Sequence, residues 1–351
     1  MHILSYKAKI AVAIIGLLSI SICFLQEVDD ISRFSLLLIF AIPGVYFTSF
    51  FFSYVSFRFL NVMNAFFLFC GFLLVRFGGI QLYVLIGFAL IGYSSGAFLL
   101  LVSGITNIMW FGKDGQTISG IVWSTSAIFS IFFNYMMKNY PITSIGAGFI
   151  FILFCSSMLK KYPAEYKRPL PYSYVKFNRK SFFLSLFILL TSMSIGFLYM
   201  SAKEMIHSPF NFIYISFGAV VFPLIVLFFS NKKGIFSSCV LLIFIFEISA
   251  MCLCFSRISV IWQTVGVLLF GGLMTTSLCL YPLVCFYLFG SGDIANKLSG
   301  SMIFMPLGLL IAFYFPATHD ELLFLTFFTI LCSFFALFSA WKQRLTLLKT
   351  P

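Results

Sequence analysis

The sequence predicts an all-α, polytopic membrane protein with twelve transmembrane helices in two six-helix, pseudo-repeated bundles. Three observations carry this. Of 351 residues, 61% are hydrophobic and 9% charged, against about 45–50% and about 25% in soluble domains. With 22 Lys+Arg and 10 Asp+Glu, and a mean hydropathy of +1.07, the chain cannot cover a water-facing surface. Second, apolar runs of crossing length alternate with short charged or proline-bearing breaks. At roughly 20 residues per crossing, twelve crossings take about 240 residues and leave only short connections. Third, one long basic break divides the runs six and six. A β-barrel is a poor fit, because Leu82–Val102 is a long, uncharged, largely apolar run, whereas barrel strands alternate polarity over about ten residues.

The first segment, 10–25, follows Lys7 and Lys9. No small-residue cleavage site succeeds it, only Gln26, Glu27, Asp29 and Asp30, so it reads as a span and not a leader. Segments 34–56, 59–76, 82–109, 116–137 and 142–159 follow, cut at Arg33, Arg58, Arg76, the Lys113-Asp114 turn, Lys138 and Lys160. The second half gives 181–200, 210–230, 234–254, 259–289, 297–316 and 321–340, cut at charges and prolines. Tyr281-Pro282 is expected to kink the tenth segment. The clusters Gly92/Gly96 and Gly271/Gly272 are read as permitting close helix packing.

Residues 160–180 are the one true linker, with seven basic residues, Glu165 and three prolines that keep it from continuing as helix. The expected domains are therefore 1–159, the linker 160–180, and 181–351 with a short tail. Lys and Arg mark the cytoplasmic side. An N-terminus inside places 17 of the 22 on one side, among them Lys7, Lys9, Arg58, Lys113, the linker, Lys232, Lys233 and Lys342. Arg33, Arg76, Lys138, Lys203 and Arg257 fall on the other. Both termini and the linker are thus expected in the cytoplasm, and the plasma membrane is the favoured location. Topology and anionic lipid account for the net charge of +12; a nucleic-acid role would need a solvated basic domain. The nine cysteines lie in apolar stretches without Cys-x-x-Cys spacing, and the three histidines form no cluster. No metal or cofactor is expected, and the chain should act as a monomer. An enzyme would need a His or Asp/Glu pair at span ends; none is so placed.

The halves repeat weakly. Gly44 matches Gly218 and Arg58 matches Lys232 at an offset of 174. Gly92 matches Gly271 at 179, Phe111-Gly112-Lys113 matches Phe289-Gly290-Ser291 at 178, and Ile118-Ser119-Gly120 matches Leu298-Ser299-Gly300 at 180. Two six-helix halves in parallel repeat are the architecture of the major facilitator transporters, and three places resemble that superfamily. Residues 104–120 (GITNIMWFGKDGQTISG) are similar to its fourth-helix end, charged turn and fifth-helix start. Asn231-Lys232-Lys233-Gly234 resembles its Asp-Arg-x-Gly turn. Ser56-Phe57-Arg58 keeps the Arg of the equivalent first-half turn but lacks its Asp and Gly, which puts a charge lock there in doubt. Arg58, Lys113, Asp114, Lys232, Lys233 and Asp293 are on this basis the gating turns. Gly120–Phe129 further resembles the fifth helix of facilitative neutral amino-acid transporters, although Trp123 stands where those carry an acid. The monocarboxylate and oxalate–formate branches share the aromatic–basic turn.

The resemblance implies that helices 1, 4, 7 and 10 line a cavity and that 3, 6, 9 and 12 face lipid. Polar groups in hydrocarbon need partners, so the cavity candidates are Tyr93, Ser95 and Asn107; Ser124, Thr125 and Ser126; Ser192 and Ser194; and Gln263, Thr275, Thr276 and Tyr281. The competing reading is that each Ser or Thr bonds its own helix one turn back. Glu247, the acid deepest inside a span, is the candidate proton site, since burying an ionised carboxylate is costly. The expected function is a secondary transporter working by alternating access. A cavity of hydroxyls, amides and aromatics points to facilitated diffusion or exchange of a neutral or zwitterionic solute, with neutral amino acids the first choice. The alternatives are a monocarboxylate-type or proton-coupled carrier, or a non-transporting scaffold or receptor-like protein of the same fold.

Overall fold

The computed structural model describes residues 2–26, 31–52, 54–98, 110–111, 115–159, 178–206, 209–290, 294–316 and 318–347. All regular structure among them is helical: α1 (His2–Gln26), α2 (Ile31–Phe52), α3 (Phe57–Phe77), α4 (Gln81–Ser95), α5 (Gly115–Asn139) and α6 (Pro141–Met158). They continue as α7 (Arg179–Ile206), α8 (Pro209–Lys233), α9 (Ile235–Cys254), α10 (Val260–Phe289), α11 (Ile294–Met302), α12 (Phe304–Phe313) and α13 (His319–Leu347). Each expected segment has its helix, with two departures. The eleventh is interrupted at Ile303 into α11 and α12, and the helix begun by 82–109 turns into a π turn over 96–98. Residues 99–109 lie outside the described residues.

Local chemistry sets the helix ends. Ser56 Oγ accepts from Phe59 N at 3.3 Å, Asn178 Oδ1 from Ser181 N at 2.9 Å and Ser259 Oγ from Ile261 N at 3.2 Å. Thr318 N donates to Glu321 Oε2 at 2.7 Å, one limb of a capping box at the start of α13. Gly234, between α8 and α9, has φ +88, a left-handed conformation that favours glycine.

The helices are suited to lipid. Among the described residues, α2, α3, α5, α7, α8, α9, α10, α13 and α4 extended to Phe98 are long and apolar enough to cross a membrane; α6 and the α11–α12 pair are shorter apolar helices. Large apolar side chains point outward along them, including Phe66 on α3, Ile150 on α6, Phe244 on α9 and Phe324 on α13. Water would not tolerate such a surface, and a bilayer does. The chain is an all-α, polytopic membrane protein.

Contacts divide the chain into two compact units, Met1–Tyr174 with Ser291–Ser299, and Val175–Gly290 with Gly300–Pro351. Ser291–Ser299 thus groups with the first unit, although the sequence division assigns it to the second half. In the first unit α1 packs on α5 and α6, α2 on α4, and α3 on α4 and α6. In the second, α7 packs on α12 and α13, α8 on α10, and α9 on α10 and α13. The same pairing pattern recurs.

The recurrence reaches individual contacts. A Cβ added at Gly92 would press on the Leu37 backbone, 2.8 Å from its Cα, and one at Gly271 on the Ile215 backbone, 2.7 Å from its Cα. Gly96 lies against the Ala41 carbonyl, and Thr275 Oγ1 donates to the Ala219 carbonyl at 3.1 Å. Gly44 lies against the Tyr93 carbonyl, and Gly272 against the Phe222 ring. All three pairs are related by 178 on the first helix and 179 on the second. The α3–α4 contact of Gly71 with Gly87 returns as Ser249 Oγ donating to the Gly266 carbonyl at 3.1 Å, at the same offsets. This register corrects one match. Gly44 is equivalent to Phe222, and the Gly44–Gly218 pairing is one helical turn out, because the small residue of that contact changes helix between the halves.

Candidate functional site

In the first unit, Tyr93 is half-buried on α4 with its ring edge-on to Phe67 of α3, centroids 5.7 Å apart. Ser95 is buried and its hydroxyl forms no hydrogen bond with the described residues. On α5, Ser124 is likewise buried without a partner, and Thr125 is half-buried. Ser126 instead donates to the Val122 carbonyl at 2.7 Å and reaches the Ile15 carbonyl of α1 at 3.4 Å. That hydroxyl, expected to line a cavity, ties α1 to α5. Trp123 is among the largest fully buried side chains. Where amino-acid carriers are expected to hold an acid, this chain has a core aromatic. Asn107, Lys113, Asp114 and Asp293 lie outside the described residues.

In the second unit, the Tyr281 phenol is fully buried and shares a 2.6 Å hydrogen bond with Thr191 of α7. Phe187 packs edge-on to its ring, centroids 6.1 Å apart. Ser192 and Ser277 flank the phenol but stay outside hydrogen-bonding geometry. Ser194 is bonded to Thr329 of α13 at 2.8 Å and to the Leu190 carbonyl at 2.9 Å. Thr275 bonds the α8 backbone as described, whereas Thr276 is buried without a hydrogen-bond partner among the described residues. The Tyr281, Ser194 and Thr275 hydroxyls, expected to line a cavity, each have a protein partner and tie one helix to another. Gln263 sits in the first turn of α10 beside exposed Ile261 and Trp262, at the end of the helix and not at its middle.

Glu247 is half-buried on α9, between the exposed side chains Phe244 and Ile248. Arg58 and Lys233 are exposed at helix ends, and Lys232 Nζ stands 4.6 Å above the Phe228 ring. Among the described residues no three His, Cys, Asp or Glu side chains are grouped to hold a metal.

The sequence reading missed Asn61 and Asn64, which lie on the buried stripe of α3. Asn61 Nδ2 donates to the Phe57 carbonyl at 3.0 Å. Asn64 is fully buried, and neither amide atom has a partner among the described residues. The available signal was the type itself: two large amides three residues apart in an otherwise apolar run are costly in hydrocarbon.

What the fold defines is a class. The chain has the major facilitator fold, which solved transporter structures share over nearly its whole length. It is similar to a bacterial homologue of the iron transporter ferroportin in an outward-facing state, at 14% identity and TM-score 0.65, covering 96% of this chain and 99% of that one. The human organic anion transporter MFSD10 (TETRAN) matches at 12% identity and TM-score 0.67, covering 94% and 99%. The major facilitator proton:xylose symporter XylE bound to 6-bromo-6-deoxy-D-glucose matches at 11% and 0.71, covering 96% of each. No family profile matches the chain, and no curated protein matches it.

Proposed function

We propose that the chain is a secondary transporter that moves a small solute by alternating access. The observation that carries this reading is the fold itself, which a bacterial homologue of an iron transporter, an organic anion transporter and a proton:xylose symporter share over at least 94% of this chain. Those cargoes differ, so the nature of the solute is argued from this chain's own residues. Of the expected cavity residues, Ser95, Ser124, Ser192 and Thr276 are buried with no hydrogen-bond partner among the described residues, and all four are uncharged. They suit a neutral or zwitterionic solute, with neutral amino acids the first class to test, moved by facilitated diffusion or exchange. Glu247, flanked by outward-facing side chains, stands outside this scheme. Both termini face the cytoplasm, as the Lys and Arg excess favours.

The test is uptake of labelled neutral amino acids, monocarboxylates, nucleobases and hexoses into proteoliposomes, with and without unlabelled solute preloaded. Acceleration by preloaded solute supports exchange. Ser124→Ala and Ser192→Ala should then raise KM about 2- to 10-fold, the equivalent of one hydrogen bond each. Absence of exchange for every solute and under every gradient would remove the transport reading.

A further inference from the structure

Pro223 lies inside α8. Having no N–H, it cannot donate to the carbonyl four residues back, which belongs to Ala219. Ala219 is buried, and a carbonyl without a donor is costly in hydrocarbon. The donor comes from another helix: Thr275 of α10 places Oγ1 3.1 Å from the Ala219 oxygen. The same hydroxyl lies 3.3 Å from the Gly272 carbonyl and 3.4 Å from the Gly271 carbonyl of its own helix. Those two carbonyls face the N–H groups of Thr275 and Thr276 one turn on, so Ala219 is the acceptor that lacks a donor. The first half supplies the comparison. At the repeat offsets of 178 and 179, Ala219 corresponds to Ala41, Pro223 to Val45 and Thr275 to Gly96. Val45 keeps its N–H for Ala41, and the residue against the Ala41 carbonyl is a glycine with no hydroxyl. Pro43 of α2 frees instead the carbonyl of Ile39, an exposed residue. The hydroxyl is present in the half that has the proline and absent from the half that does not.

Different neighbours hold α8 on the two sides of Pro223. Before it, Gly218 lies against the Leu268 backbone of α10, and Gly272 of α10 against the Phe222 ring. Beyond it, Ser238 of α9 donates to the Val226 carbonyl at 3.3 Å, whereas Leu224, Ile225 and Phe228 are exposed. We propose that α8 hinges at Pro223 and that Thr275 is the latch, its hydroxyl standing in for the missing amide proton and fixing the angle between the α10-bound and α9-bound parts of the helix. Bending at Pro223 swings the segment that ends in Lys232 and Lys233. When the latch opens, the hydroxyl can bond the Gly271 carbonyl one turn back, so no donor is stranded. The device needs no solute and stands whether or not the chain transports one.

The test is amide hydrogen exchange of the full-length protein in one detergent, read by mass spectrometry on peptides covering 224–230. Thr275→Val keeps the shape of the side chain and removes the donor. A hydrogen bond between membrane helices is worth about threefold, and at most about twentyfold, in an opening equilibrium, so exchange over 224–230 should accelerate by that factor. Thr275→Ser, which keeps the hydroxyl, should stay within about twofold of the parent chain, less than the loss of one such bond. Pro223→Ala gives Ala219 back its amide donor and makes the latch redundant. In that background Thr275→Val should change exchange by less than about twofold, whereas a hydroxyl that merely fills space would be missed equally in both. Unchanged exchange in Thr275→Val, equal acceleration with and without Pro223, or a Thr275→Ser chain as fast as Thr275→Val would each overturn the proposal. If Pro223→Ala does not fold, the Val and Ser variants at 275 decide it.

Discussion

Gly92→Ala is the most direct probe of the repeated α2–α4 contact. The added methyl would stand 2.8 Å from Leu37 Cα and 2.9 Å from its carbonyl carbon, and closer still to its oxygen. All three are backbone atoms, so no side chain can swing away. Ordinary contact begins at 3.4 Å, which requires α2 and α4 to part by at least about 0.6 Å to clear the Leu37 Cα, and by more to clear its oxygen. A gap of that size forfeits a quarter to a half of the dispersion attraction along the seam, and overpacking of this kind costs about 1–3 kcal/mol. The higher helix propensity of Ala returns about 1 kcal/mol, leaving a net loss of up to about 2 kcal/mol. Gly146→Ala in α6 is the control, because nothing lies within 4 Å of its Cβ position; propensity alone should make it neutral or stabilising by up to about 1 kcal/mol. Denaturant unfolding of the two variants in one detergent reads the difference. If Gly92→Ala is as stable as Gly146→Ala, the close approach of α2 and α4, and the repeat register built on it, are refuted. Gly271→Ala should behave as Gly92→Ala does.

Tyr281→Phe removes the partner of Thr191, whose hydroxyl keeps the Phe187 carbonyl at 2.8 Å; a loss of about 0.6 kcal/mol is expected with solute KM unchanged, and a raised KM would return Tyr281 to the solute-contacting groups. Ser194→Ala and Ser126→Ala should likewise leave KM within about twofold, below the value of one solute hydrogen bond, measured beside Ser124→Ala and Ser192→Ala. Asn64→Leu replaces a buried amide that has no described partner with an apolar group of similar size, so it should be neutral or stabilising in detergent; marked destabilisation would mean that the amide is satisfied by water or solute. Gly234→Ala should cost about 1–3 kcal/mol, because the strain lies in its φ of +88 and ψ of 164 and not in space, which is open; an unchanged midpoint would contradict that conformation.

The sequence by itself determined where the helices run. Each expected segment, from 10–25 to 321–340, falls on a helix to within a few residues at most boundaries, because the length of an apolar run between charges is a local property. A repeat offset near 179, from Gly92 and Gly271, was legible in the sequence too; residues 160–177 of the expected linker lie outside the described residues. Tertiary structure alone decided the register of the repeat, where Gly44 pairs with Phe222 and not Gly218. It also decided which hydroxyls bond a protein partner, as in Ser126, Ser194, Thr275 and Tyr281, and which have none among the described residues, as in Ser95, Ser124, Ser192 and Thr276. The physical reason lies in the helices: apolar on every face, they carry little amphipathic signal to fix their rotation. Close backbone approach at a few small residues sets that rotation instead, and with it the partner that each polar side chain finds.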